Sequence, residues 1–220
     1  MPTLDRHDDV FVLSLGDTEN RFHPDQITAL NKLLDEIEQA PTPAALVTTA
    51  TGKHYSLGLD LDWLGANPDQ RITYVKSIHD LLARFLALPM ITVAALQGHT
   101  FAGGAMFSLA HDLRVMRADR GFWCLPEADI GLPFTPGMSA LIQSRLTPQV
   151  AHEAMVTARR YGASEAAERS IVDQAVAEDA VLSTAISLAQ AQAGKAGHGL
   201  RVIKTRLYPS VLETLALSAI

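Results

Sequence analysis

Two glycine-bearing turns and one carboxylate carry the chemistry available to this sequence. The first turn is HYSLGLD, residues 54–60, which follows the apolar run AALVTTA at 44–50. The second is GHTFAGGA, residues 98–105, which follows MITVAALQG at 90–98 and opens an apolar helical run. A helix usually begins with Ser, Thr, Asp or Asn, whose side chain occupies the free N–H groups; here Gly103 and Gly104 leave them bare. Two backbone N–H donors, one at a helix start, are the usual trap for a developing oxyanion. Gly58, Gly103 and Gly104 equally suit tight turns and close helix packing. The third element is PEADIGLP, 126–133, where Glu127 follows Phe122, Trp123, Cys124 and Leu125. A carboxylate in apolar surroundings loses solvation and its pKa rises toward neutrality, which suits proton transfer. An exposed loop glutamate fits the same stretch, and Asp129 is a second acid or a turn residue.

These residues must be positioned by something. VFVLSLG (10–16), AALVTTA (44–50), MITVAALQG (90–98) and LRVMRAD (113–119) read as strands, with short strands expected in 121–133 and at 171–176. Helical spacing of apolar residues predicts helices over 23–40 and 72–88, then near 136–147, 150–160, 164–169, 179–194 and 198–218. Strands alternating with helices indicate parallel βαβ units, hence an α/β fold. In such folds the loops at the carboxyl ends of strands build the ligand site. The expected organisation is one core over 1–178 and a C-terminal helical region over 179–220 that is not an independent domain.

Composition narrows the classes. Apolar residues make up 48% of the 220, which fits a globular chain. The net charge of −6 argues against a general nucleic-acid binder, which needs a basic face. Cys124 is the single cysteine, so neither an intrachain disulfide nor a cysteine zinc cluster is expected. HEAMV at 152–156 lacks the second histidine of a zinc helix, and no metal site is expected. No Gly-x-Ser-x-Gly elbow, phosphate loop or dinucleotide motif occurs. No signal peptide or membrane span is expected, and the terminal LALSAI is not a Ser-Lys-Leu address, so the expected location is cytoplasmic.

Taken in order, SLGLDL, ALQGHTFAGGAMFSLAHDLRVM and FWCLPEADIGLP resemble the crotonase family, the enoyl-CoA hydratases and isomerases. The stretch from Ala110 to Pro133 is most similar to the short, single-function Δ3,Δ2-enoyl-CoA isomerases. The resemblance implies a crotonase-like spiral of ββα units and a trimer, or a dimer of trimers, as the assembly. It implies a thioester oxygen held by the N–H groups of Leu59 and Gly103, with Gly58 and Gly104 beside them. It implies coenzyme A arriving as part of the substrate, with no separate cofactor. Lys53 and His54 would flank the CoA path, with Lys53 meeting a phosphate or remaining solvated, while Ser56 and Asp60 would stand at the first oxyanion turn, Asp60 bracing its loop. Phe101, Trp123, Leu132 and Phe134 would line the acyl pocket or belong to the core. No chemical role emerges for His111 or Asp112, and Asp112 is expected to cap or pair structurally. The chain is shorter than many members, so the cover over the CoA is expected to be shortened or borrowed from a neighbouring subunit.

One departure separates the reactions of that family. Its hydratases carry two glutamates that hold and activate water. The first falls on Met106 here and the second on Glu127. Methionine cannot deprotonate water, whereas moving a double bond needs a single base. The expectation is therefore a Δ3,Δ2-enoyl-CoA isomerase of fatty-acid degradation with Glu127 as its base. The rivals are another single-acid enzyme of the family (hydrolase, decarboxylase or weak hydratase) and a silent acyl-CoA-binding subunit. Neither a nucleic acid nor a membrane is expected as partner.

Overall fold

A computed structural model describes residues 1–217. In chain order the strands are β1 (Thr3–His7), β2 (Val10–Ser14), β3 (Ala45–Thr49), β4 (His54–Ser56), β5 (Ile91–Leu96), β6 (His99–Phe101), β7 (Leu113–Arg117), β8 (Trp123–Cys124) and β9 (Gln174–Val176). The helices are α1 (Pro24–Gln39), α2 (Leu61–Ala66), α3 (Arg71–Leu86), α4 (Gly103–Leu109), α5 (Glu127–Ile130), α6 (Pro136–Arg145), α7 (Pro148–Thr157), α8 (Ala163–Glu168), α9 (Val181–Gln190), α10 (His198–Leu207) and α11 (Pro209–Ala216). The large sheet runs β1-β2-β3-β5-β7-β9, parallel except for the β1–β2 hairpin. The small sheet runs β4-β6-β8 and is all parallel. The pairs β3–β4, β5–β6 and β7–β8 each place one strand in either sheet before a helix follows, and this makes the spiral of ββα turns.

The large sheet is covered on both faces, as parallel sheets generally are. Phe11, Leu13, Leu46, Ala94, Leu96 and Met116 face α1, α3, α4 and α6 in the main core. The alternate residues Val10, Val12, Ala45, Val47, Val93, Ala95 and Val115 face Val181, Ala185 and Ala189 of α9. Thus α9, the first helix of the expected C-terminal helical region, supplies the second face of the central sheet. Helix α3 buries Val75, Ile78, Leu81, Leu82, Phe85 and Leu86 along one stripe, each contributing about 1.5–3 kcal/mol.

Local chemistry moved several expected boundaries. The helix expected over 198–218 breaks at Tyr208, because Pro209 cannot continue the ladder. Residues 61–66, which lie outside the expected elements, form α2, whose first turn is capped by the Asp60 carboxylate accepting from Trp63 N–H at 3.1 Å. Residues 99–101, expected as loop, form β6, the middle strand of the small sheet. Lys204 and Asp112 pin α10 to the core. The buried Lys204 ammonium donates to Asp112 at 2.6 Å and to the Met90 carbonyl at 2.7 Å, while Asp112 also accepts from Thr92 N–H at 2.8 Å.

Candidate active site

The small sheet delivers three chain segments to one place. Because β4, β6 and β8 are parallel, their carboxyl ends lie side by side. Strand β4 leads into Leu57–Gly58–Leu59, β6 into Ala102–Gly103, and β8 into Leu125–Pro126–Glu127. The register Phe101↔Cys124 and the bond from Ala102 N–H to the Cys124 carbonyl at 3.0 Å carry the pairing to the edge of the turn.

The first two segments touch through bare backbone. A methyl on Gly58 would stand 2.4 Å from the Gly103 nitrogen, and one on Gly103 would stand 3.4 Å from the Leu59 nitrogen and 2.7 Å from Leu59 Cδ1. Gly104 seats α4 on β4 in the same way, since a methyl there would lie 2.4 Å from the Ser56 carbonyl oxygen. Gly58 has φ +82°, a conformation that L side chains rarely adopt. The amides around it are nearly all spent. Leu57 N–H donates to the Glu19 carbonyl at 3.0 Å, Gly58 N–H to Ser56 Oγ at 3.1 Å and Asp60 N–H to Tyr74 Oη at 2.8 Å. The Leu59 N–H has no acceptor among the described residues, and neither has the Gly103 N–H at the start of α4. At seven residues α4 has little macrodipole, so the individual N–H groups matter more than the helix as a whole.

The residue that turns the chain into α4 is strained. Ala102 sits at φ 52°, ψ −126° with no side-chain cap. Such conformations cost an L residue about 1–3 kcal/mol and persist where the surroundings over-determine them. We expect Ala102→Gly to raise stability by a net ~1 kcal/mol after the larger unfolded-state entropy of glycine. A urea midpoint at or below the parent's would show that Ala102 is not strained.

Glu127 begins α5, which closes on Gly131 in the left-handed conformation at φ 68°. The side chain is 7% exposed. Its Oε2 is buried without a hydrogen-bond partner among the described residues. Desolvation pushes the carboxyl up to about 7, against a smaller opposing pull from its own backbone N–H. An unpaired buried carboxyl that is half ionised at neutral pH is equipped to exchange a proton. Met106, one turn into α4, is 1% exposed and belongs to the main core.

The remaining expected residues fall into different settings. Lys53 is exposed, without a carboxylate partner among the described residues, and its carbonyl accepts from His99 N–H at 3.0 Å. His54 is half-buried, its ring 5.8 Å from that of His99. Leu132 is 41% exposed, and Phe134 packs half-buried against the main core. Phe101 carries the Arg160 guanidinium over its ring at 5.6 Å. Of the two readings of Trp123 the structure favours the core, and it gives Ser56 and Asp60 structural work. Trp123 is fully buried, and its indole N–H donates to Ser108 Oγ at 3.1 Å, locking β8 onto α4. Ser56 is fully buried, donating to the Asn20 carbonyl at 2.8 Å while accepting from Gly58 N–H. Asp60 spends its carboxylate on the α2 cap. Among the described residues no group of three or more His, Cys, Asp and Glu could hold a metal ion.

Sequence reasoning missed the supports beneath the site. Asn20 and Tyr74 brace the first turn, and nothing in their spacing announces it. His111 is fully buried between Thr48 Oγ1 at 2.8 Å and the Phe107 carbonyl at 2.8 Å. Thr48 Oγ1 in turn meets Tyr55 Oη at 2.7 Å. Burial drives the imidazole down to about 3, so it is neutral and ties α4 to β3 and β4. Arg145 closes the far end of α4, donating to the carbonyls of Leu109 at 2.9 Å and His111 at 2.7 Å.

A family model described as enoyl-CoA hydratase/isomerase matches residues 6–216. The chain belongs to that family. Its relatives include enoyl-CoA delta isomerase 3 of Arabidopsis thaliana, 38% identical over all of this chain and 97% of the relative. Enoyl-CoA delta isomerase 2, peroxisomal, from the same plant is 36% identical over 99% of this chain and 96% of its own length. A solved Mycobacterium tuberculosis structure, described as a probable enoyl-CoA hydratase, superposes with a TM-score of 0.90 at 27% identity, covering 97% of this chain and 91% of the other. One hydratase/isomerase fold thus serves proteins named for two reactions, so fold cannot choose between them and the site must.

Proposed function

We propose that the protein is a Δ3,Δ2-enoyl-CoA isomerase. The observation that carries this reading is a carboxyl, Glu127, that alone among the described residues' carboxyls is buried and whose Oε2 has no hydrogen-bond partner among them, where the hydratase pattern's other glutamate is replaced by buried Met106. The delta-isomerase names of the two Arabidopsis relatives support it.

The chemistry follows from three groups. The thioester oxygen of a 3-enoyl-CoA lies on the Leu59 and Gly103 N–H groups. The Glu127 carboxylate takes a proton from C2, and the C2–H electron pair flows through the carbonyl to leave a dienolate with its charge on that oxygen. The neutral Glu127 carboxyl returns the proton to C4, the double bond forms between C2 and C3, and trans-2-enoyl-CoA results. One proton is lifted and one returned, so no water, metal or separate cofactor is consumed. Each oxyanion donor is worth about 3 kcal/mol in the transition state. Lys53 and His54 flank the CoA path in this reading, and Leu132 and Phe134 border the acyl chain. A trimer, a role in fatty-acid degradation and a cytoplasmic setting complete the proposal, although one relative carries a peroxisomal name. No helix among the described residues is long and apolar enough to cross a membrane.

The test is incubation with 3-hexenoyl-CoA while following the absorbance of the conjugated thioester. Absorbance should rise and then hold. A hydratase would bleach 2-hexenoyl-CoA instead, and a silent binding subunit would change neither. The same assay fixes the pH dependence. The base must be ionised, and its pKa stands near 7, so kcat/KM should climb about tenfold per pH unit below that value and level off above it. A profile flat from about pH 5 to about pH 9 would remove Glu127 from the role.

A further inference from the structure

Leu59 offers its N–H without a side chain to aim it, so something else must hold the peptide. The segment that does so is the turn after β2. Glu19 gives its carbonyl to Leu57 N–H at 3.0 Å, and Phe22 N–H donates to the Gly58 carbonyl at 2.8 Å. Between them Asn20 is 4% exposed and sits at φ 48°. Its Nδ2 donates to the carbonyls of His54 and Tyr55, both at 3.1 Å. Its own carbonyl accepts from Ser56 Oγ at 2.8 Å, and that same Oγ receives Gly58 N–H at 3.1 Å. Tyr74 Oη completes the bracket, donating to the Phe22 carbonyl at 2.8 Å and accepting Asp60 N–H at 2.8 Å.

The bracket therefore takes up the N–H of residues 57, 58 and 60 and leaves that of 59. Asn is among the few side-chain-bearing residues that tolerate positive φ. Here that conformation lets one residue engage β4 with its amide and the Ser56–Gly58 turn with its carbonyl. We propose that Asn20 is a positioning residue that aims the Leu59 N–H at the substrate's oxygen. This rests on the isomerase reading above and deepens it. Asn20 touches no reacting atom. It acts through Ser56 and Gly58, and small errors of aim are costly where charge develops only in the transition state.

Two variants and a control test it. Asn20→Gly keeps the positive φ and the carbonyl but removes the amide. Asn20→Asp keeps the shape and puts an acceptor against the His54 and Tyr55 carbonyls, and it carries the test should Asn20→Gly fail to fold. The control is Gln26→Ala, which removes another buried side-chain amide, donating to the Leu15 carbonyl at 2.9 Å, without touching the bracket. The readouts are kcat, KM, Tm and the red shift of bound 2,4-hexadienoyl-CoA, whose conjugated carbonyl absorbs at longer wavelength when donors polarise it. The expected result is that both Asn20 variants lose about tenfold in kcat, hold KM within about threefold and show a reduced shift. Gln26→Ala should lower Tm and retain kcat and shift. Asn20 variants with parental kcat and shift overturn the proposal alone, as does a Gln26→Ala that loses as much as they do. A parent protein that neither turns over 3-hexenoyl-CoA nor shifts the dienoyl spectrum overturns the isomerase reading and this proposal with it.

Discussion

Glu127→Gln should lower isomerase kcat by about 10²- to 10⁴-fold, the range that a positioned acid–base group supplies. The amide matches the carboxyl in shape and cannot accept a proton at C2, so the acyl-CoA should still bind. The same substitution should stabilise the fold, and the sign follows from linkage. The carboxyl stands at about 7 in the folded protein against an ordinary 4.5. Between those values the folded chain holds a proton that the unfolded chain has released, so the contribution is full below 4.5 and is lost as pH rises through 7. Glutamine carries no charge to desolvate. At about pH 8 the variant should be more stable than the parent by about 1–3 kcal/mol, and at about pH 4 the gap should close. Urea midpoints at the two pH values and a turnover assay check both halves. A variant that keeps full turnover refutes the base, and one that gains nothing at high pH refutes the desolvated carboxyl.

Gly58→Ala should be as damaging to turnover by a different route. The added methyl would lie 2.4 Å from Gly103 N, 2.8 Å from Gly103 Cα and 3.1 Å from Gly104 N. All three are backbone atoms, so no side chain can swing aside. The residue also sits at φ +82°, where alanine is strained. The turns must move apart, and the Leu59 and Gly103 N–H groups then lose the convergence on one oxygen that the proposed mechanism requires. A loss of about 10²- to 10³-fold in kcat is expected, the cost of an oxyanion donor, with about 1–3 kcal/mol of stability. Gly65→Ala is the control: no atom of the described residues lies within 4 Å of its methyl position in α2, and it should keep activity. Gly58→Ala with parental kcat would mean that these two amides do not form the oxyanion site.

Both predictions depend on one arrangement of the small sheet. Parallel strands bring like ends together, so three turns far apart in sequence meet at one edge. The two turns proposed to supply amides are in backbone contact and need glycine. The turn proposed to supply the carboxylate needs burial, and Glu127, next but one after the buried run Trp123–Leu125, is the one buried residue of α5. Support comes from below. The neutral His111 between Thr48 and Phe107 and the guanidinium of Arg145 hold α4 from its far end.

The sequence by itself determined the family and the alternation of strands and helices. It also singled out Gly58, Gly103, Gly104 and Glu127, whose local chemistry shows in their residue types. Glycines at strand ends and a carboxylate after an apolar run are local signals, and the order of the three motifs is a linear one. Only the tertiary structure decided which residues brace them. Asn20 reads as one more polar residue in GDTEN, and Tyr74 as one more residue of an amphipathic helix, because a hydrogen bond across 35 or 14 positions leaves no mark in spacing. The structure likewise decided between pocket and core for Trp123, which lies in the packed interior because strand alternation turns it to the same side of the small sheet as the buried Thr100. That Glu127 Oε2 is buried with no partner among the described residues depends on what surrounds it in space, and the order of residues alone does not encode that locally.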